Sequence, residues 1–402
     1  MASSAESTDP PERVRLAILG LGAVAQAVHL PLLDRLADRF SIGAIADLSP
    51  SLVAVIGDRY RVPARARFDG LDGLLTADGI DGLLVLTSGS HGSAVIAGLD
   101  RGWAVFAEKP LAWTLAEADA IAEQLAADPA CMLQLGYMKL YDPAVVGGVA
   151  AARGTDEGSD QGSDGPTGGL GPVRSIEVTV LHPSDQRQLS HARLLPPPTD
   201  VPAATIDSIR AEADRLRTLA VGSSGDLARL YSDIVLGSIV HDLALIRAFA
   251  SDPTGIDLVD TWPGGRWPPS VAIAGRLEGE ARFAVRWHFL PDYAAYREEV
   301  RVVYEAATIE LEFPSPYLLH APTRLRITEL EGDARRDRRY TSVGEAFEEE
   351  LLAFHSLVTT GRQPLAGLHE GRADIVTSQR IAARYAVQLG LPINGEATSQ
   401  KG

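Results

Sequence analysis

Lysine is nearly missing from this chain: Lys109, Lys139 and Lys401 stand against 34 arginines. Arginine keeps its proton at any pH a cell offers, whereas a partly desolvated lysine loses and regains one near neutrality. Proton exchange by an amine side chain is thereby confined to three positions. Cysteine is scarcer still, because Cys131 is alone. That excludes internal disulfides and Cys-based metal sites, and it suits a reducing compartment. Long apolar runs are lacking too: after the Ser-, Glu- and Pro-rich residues 1–12, the first such stretch covers only Val14 to Leu21. It matches neither a membrane helix nor a signal peptide, so the expected location is cytoplasmic. Basic residues number 37 against 53 acidic ones, a net charge of −16. Such a surface repels nucleic acid and anionic lipid, and neither is expected as a partner.

What is present is organised in two halves. From Val14 to about Leu135, short apolar runs (Val14–Leu19, Ile42–Ala46, Leu83–Leu86, Val105–Ala107, Met132–Leu135) alternate with helical stretches. This alternation predicts a parallel sheet with crossover helices. One such helix is announced by Thr114 with Glu117 three residues on, a capping-box pattern. After Tyr141-Asp142-Pro143 the pattern turns to period two in Val173–Leu181, Val271–Leu277, Phe283–Phe289, Val300–Tyr304, Thr308–Phe313 and Leu325–Leu330. A largely antiparallel sheet, polar on one face, is the expectation. The fold class is therefore α/β, a doubly wound parallel sheet at residues 13–141 followed by an α/β domain with a large, mainly antiparallel sheet at 142–395. Residues 1–12, 154–171 and 396–402 are expected to be disordered, the second of these being a Gly/Ser/Asp-rich loop. Residues 182–231 form an excursion with Pro196-Pro197-Pro198 and a helix whose apolar side holds Ile206, Ile209, Ala213, Leu216 and Leu219; it fits a cleft cover or a dimer contact. Arg335-Arg336-Asp337-Arg338-Arg339 reads as a solvated loop or hairpin end.

Gly20-Leu21-Gly22-Ala23-Val24-Ala25 follows the first strand and opens a helix. Gly20 permits the tight turn, Gly22 lets backbone approach a pyrophosphate, and Ala25 keeps the helix near the sheet. The second strand ends in Asp47, where a carboxylate accepts the ribose hydroxyls of adenosine and repels a 2′-phosphate; a turn before Leu48-Ser49-Pro50 would use an aspartate as well. The combined expectation is a dinucleotide site preferring NAD, with NADP left open. Lys109 ends the apolar run Trp103–Ala107 in Glu108-Lys109-Pro110, where ligands meet open α/β sheets, and is the proton-transfer candidate.

These residues, with His29-Leu30-Pro31, Gly136-Tyr137 and a helical segment holding His241, resemble the Gfo/Idh/MocA oxidoreductase family. The resemblance implies a nicotinamide cofactor in an inter-domain cleft, a sugar, cyclitol or related polyol as substrate, and a homodimer or homotetramer joined through the open sheet. It further implies Lys109 and His241 as proton handlers, backbone or side-chain contacts to cofactor from Ala23, Val24, Thr87, Ser88, His91 and Glu108, and substrate contacts from Tyr137, Lys139, Lys109 and His241. An aspartate that the family commonly places four residues before the histidine is here Gly237. Lys139 is equally suited to a salt bridge across the domain junction. Metal ligands at usable spacing are not found around His182 or His288, which read as structural. Two other readings stay open: a lyase or glycoside-cleaving enzyme that retains NAD and oxidises substrate transiently, and a non-catalytic NAD-sensing binding protein.

Overall fold

The computed structural model describes residues 13–155, 169–222 and 225–400. The expectations for residues 1–12, for 156–168 within the Gly-rich loop and for 401–402 lie outside the described residues. The first half forms a six-stranded, all-parallel sheet, β1 (Val14–Leu19), β2 (Phe40–Ala46), β3 (Arg67–Phe68), β4 (Gly82–Val85), β5 (Ala104–Glu108) and β6 (Leu133–Gly136), in the order β3-β2-β1-β4-β5-β6. β4, β5 and β6 are buried at every position. Helices cover both faces, which is why these strands read as continuous apolar runs instead of alternating ones. The order reverses between β1 and β4, and a doubly wound sheet opens its ligand crevice at the carboxyl ends of the strands beside that reversal.

The second half builds an eight-stranded sheet from β7 (Val173–His182), β8 (Gly255–Trp262), β9 (Ser270–Arg276), β10 (Arg282–Phe289), β11 (Arg297–Tyr304), β12 (Ala307–Phe313), β13 (Arg324–Glu331) and β14 (Ala334–Thr341), in the order β14-β13-β12-β11-β7-β10-β9-β8. β7 and β10 pair in parallel and the remaining neighbours are antiparallel. β12 alternates buried and half-buried positions along its whole length. Its inner residues Ile309 and Leu311 join Ile176, Val178, Val300 and Val302 in a core closed by Leu243, Ile246 and Phe249. Those three lie on the helix Val240–Phe249, which also carries His241 at its start.

Several local expectations are corrected. The arginine-rich 335–339 stretch is not a loop but the edge strand β14. Its strand character comes from cross-strand charge pairing, Arg338 with Glu329 at 3.1 Å and Thr328 donating to Asp337 at 2.8 Å, so apolar alternation leaves no trace of it. β3 and β8 also escaped the hydrophobic pattern, β3 because it has two residues. Residues 396–400, expected as tail, form a turn of 3₁₀ helix, and Glu396 accepts from the N–H groups of Leu115 (2.7 Å) and Ala116 (3.0 Å). A carboxylate there satisfies orphan donors at the start of the helix Leu115–Ala127, whose Thr114–Glu117 capping box is present as expected. In the excursion helix Ala203–Val221 the buried side is Leu216, Ala220 and Val221, while Ile209 and Leu219 are exposed. The helix Ala346–Thr360 lies late in the chain yet packs Phe347, Leu351, Phe354 and Leu357 into the core with Leu16, Ile18 and Leu84 of the first sheet.

Candidate active site and dinucleotide cleft

Gly20 closes β1 at φ +93°, and a methyl group on it would stand 2.8 Å from the Thr87 nitrogen and 2.9 Å from the Leu86 carbonyl carbon. Only glycine fits where the turn leans on the loop after β4. Gly22 differs, for a methyl there would meet no protein atom within 4 Å. Nothing in the fold explains the small residue, and Gly22 and Ala23 are both exposed at the start of the helix. An exposed helix start with open space over a glycine fits a pyrophosphate. Val24 is half-buried behind it. Asp47 accepts from the Leu21 N–H at 2.8 Å through one carboxylate oxygen and from the Ser49 N–H at 3.0 Å through the other. The residue expected to receive a ribose thus also ties the glycine turn to the end of β2, and its remaining lone pairs fit ribose hydroxyls.

The excursion reaches this cleft. Leu189, Ala192, Leu194 and Leu195 pack on the cluster that includes Val24. The Leu195 N–H donates to Gln26 at 2.9 Å, and the Gln26 amide donates to the Leu21 carbonyl at 2.8 Å. Five residues on, Asp200 accepts from the Ser49 hydroxyl at 2.6 Å and the Ser51 N–H at 2.8 Å. Residues 189–200 therefore form a strap anchored on the glycine-turn helix at one end and on the start of the helix Pro50–Arg59 at the other.

At the other end of the cleft Lys109 directly follows β5 and is joined to Pro110 by a cis bond. Its ammonium donates to the Gly237 carbonyl oxygen at 2.5 Å. Gly237 lies in a π-helical segment, Leu230–Ile239, that runs directly into the helix bearing His241. Gly237, which the resemblance would have as an aspartate orienting His241, offers its backbone carbonyl to Lys109. Burial pushes the Lys109 amine below its usual pKa, Glu108 opposes this, and the Lys139 charge adds to the drop. His241 is held well below the usual imidazole range by burial, then by the charges of Lys109 and Lys139. Its Nδ1 is buried and has no hydrogen-bond partner among the described residues, and the Tyr137 ring meets the imidazole edge-on at 6.1 Å between centroids. A neutral imidazole with a free ring nitrogen lies within electrostatic reach of a softened ammonium.

The other expected residues fall into supporting places. The two ring nitrogens of buried His91 face the carbonyl oxygens of Pro110 and Thr87, each at 2.8 Å. A neutral ring donates to one of them, and it braces the Lys-Pro turn against the loop after β4. Thr87 is half-buried and Ser88 exposed on that loop, open to the cleft side. Glu108 is buried against His29, Oε1 to Nε2 at 2.8 Å. Burial pushes its carboxyl up, and His29, Lys109 and His91 more than offset this, so its pKa falls. The Tyr137 hydroxyl donates to buried Asp374, and Lys139 is spent in a buried ion pair with Glu298, with Asp242 at 3.7 Å. Of the two roles open to Lys139, the geometry takes the salt bridge across the junction. His182 lies tilted against Trp287 at 5.0 Å between ring centroids and His288 meets Trp262 edge-on at 5.6 Å. Gln26, Asp200 and Glu298 were missed by sequence reasoning, since each meets its partner across 100 residues or more, or, for Gln26, through the strap. Asp185 was missed too; it perturbs Lys109 electrostatically from the excursion.

Comparison with known proteins agrees with this geometry. Residues 14–137 match the Gfo/Idh/MocA family model, described as an oxidoreductase family with an NAD-binding Rossmann fold. The family match thus falls on the β1–β6 region, under a third of the chain. Inositol 2-dehydrogenase 3 of Saccharopolyspora erythraea is 33% identical over 130 residues, 32% of this chain and 37% of that protein. An inositol 2-dehydrogenase/D-chiro-inositol 3-dehydrogenase of Shouchella clausii is 30% identical over the same length, again 37% of the relative. The chain therefore aligns with little more than a third of these curated relatives. The likeness of fold extends further: scyllo-inositol dehydrogenase from Lactobacillus casei, solved with NAD(H) and scyllo-inositol, superposes with a TM-score of 0.64 at 16% identity, covering 94% of this chain and 98% of that one. Aldose-aldose oxidoreductase from Caulobacter crescentus gives 0.66 at 18% identity, covering 94% and 98%.

Proposed function

We propose that the protein is an NAD-dependent dehydrogenase that interconverts a secondary alcohol and a ketone on a sugar, cyclitol or related polyol, with Lys109 as the proton-transfer residue. The observation that carries this reading is the softened Lys109 ammonium, held on the Gly237 carbonyl opposite a neutral, half-free His241 at the mouth of a dinucleotide fold. The Gly20–Ala25 turn and Asp47 would hold NAD, which would supply the hydride acceptor. Lys109 takes the hydroxyl proton, or holds the forming alkoxide while His241 takes it. Each role is worth about 10²–10⁴ in rate where the group is oriented and desolvated. Lys139, paired with Glu298 and near Asp242, lowers the pKa of both Lys109 and His241 through its charge. The minimal cysteine content supports a cytoplasmic setting, and a homodimer or homotetramer joined through the open sheet is what the family resemblance implies. The test is nicotinamide absorbance with a panel of polyols and cyclitols. Net NADH formation is expected; NAD binding without net reduction on any of them contradicts the reading.

A further inference from the structure

From the strap geometry we infer that Asp200 is a cofactor-selecting residue: it occupies the hydrogen-bond donors at the start of the helix Pro50–Arg59 that a ribose 2′-phosphate needs, and so favours NAD over NADP. The inference rests on the dinucleotide reading of the Gly20–Asp47 cleft. Asp47 alone leaves Ser49 Oγ–H and Ser51 N–H free beside the ribose edge, and a hydroxyl plus a helix-start N–H is a ready anion site. In this chain both donors are already committed, at 2.6 and 2.8 Å, to one carboxylate brought from 150 residues away.

The delivery is stiff. Leu195 is fixed to Gln26, Asp200 is fixed to Ser49 and Ser51, and Pro196-Pro197-Pro198 lies between the two anchors. Consecutive prolines hold an extended span of about 3.1 Å per residue with few alternatives. Hydrogen bonds from Ser49 and Ser51 pull the Asp200 carboxyl down to about 2, so it is charged near neutral pH. A 2′-phosphate entering here loses its donors and meets two carboxylates, Asp200 and Asp47. A ribose hydroxyl meets acceptors suited to it. Discrimination of this sort works by repelling the wrong ligand as much as by holding the right one.

The experiment measures Kd for NAD and NADP calorimetrically on the full-length protein and on Asp200→Asn, Asp200→Ala and Asp200→Glu. The readout is the NADP-to-NAD ratio of Kd, because a strap merely loosened weakens both cofactors alike and leaves the ratio where it was. The expected result is a ratio lowered about tenfold in Asp200→Asn and Asp200→Ala and retained in Asp200→Glu. A ratio within about twofold of wild type in both neutralised variants, with NAD still bound, overturns the role of Asp200 and leaves the dinucleotide reading standing. Failure of the wild-type protein to bind either cofactor overturns both.

Discussion

Two glycines two positions apart should respond in opposite ways to the same added methyl group. Gly20→Ala places a Cβ at φ +93° and within 2.8–3.0 Å of three backbone atoms of Leu86 and Thr87. Left-handed backbone costs about 1–2 kcal/mol for a non-glycine residue, and backbone overlap about 1–3 more, so a loss of roughly 2–5 kcal/mol is expected. With an unfolding entropy of about 2.1 cal/mol/K per residue, that lowers Tm by roughly 2–6 °C in a chain of this size. Gly22→Ala meets nothing within 4 Å and lies outside the left-handed region. Its stability should hold or rise by about 0.4–1 kcal/mol, because alanine narrows the unfolded ensemble. NAD affinity should behave the other way, since the Gly22 methyl projects into the space assigned to the pyrophosphate, and should fall at least about tenfold, ~1.4 kcal/mol. Circular dichroism melts and calorimetric titration with NAD read the two quantities separately. The reasoning is refuted if Gly22→Ala binds NAD as wild type does, or if it melts as early as Gly20→Ala.

Lys139→Met should destabilise by about 3–5 kcal/mol, because Glu298 and Asp242 are left buried without their cation. Adding Glu298→Gln should recover part of the loss in a denaturant titration, and no recovery would argue against the pairing. Glu350 is fully buried with neither carboxyl oxygen hydrogen-bonded among the described residues, and burial, then the Glu108 charge, raises its pKa well above 4.5. The folded protein thus holds a proton that the unfolded chain has lost. The stability it contributes is complete below the unfolded pKa and declines as pH rises toward the folded one. Glu350→Gln should flatten that decline and stabilise the protein at neutral pH by about 1–3 kcal/mol; an unchanged pH–stability curve would count against it.

The first sheet was legible because both of its faces are covered. β1, β4 and β5 carry apolar side chains at nearly every position, and the turn chemistry at Gly20 and Thr114 is local. β14 was not legible, since a strand exposed on an edge needs no apolar alternation and is held by charge pairs that become visible only when β13 lies beside it. In the site, Gly20, Asp47 and Lys109 could be named because each belongs to a short motif with a mechanical reason. Their partners could not. Gly237 enters through a backbone carbonyl, which no side chain announces, and Asp200 through a strap whose landing point depends on the packing of Leu194 and Leu195. For Lys139 the sequence left substrate contact and a junction salt bridge open, and the buried pair with Glu298 is visible only in the fold.

The central claim is that Lys109 moves the substrate proton, and steady-state kinetics of Lys109→Met and Lys109→Arg, with the NAD affinity of each determined in parallel, test it most directly. Arginine keeps a cation but will not give up its proton, so both variants should lose about 10²–10⁴ in kcat while NAD affinity stays nearly intact. Wild-type turnover should rise with pH through an apparent pKa below that of a free lysine, in line with the direction of the Lys109 shift. Turnover by either variant at the wild-type rate would contradict the account.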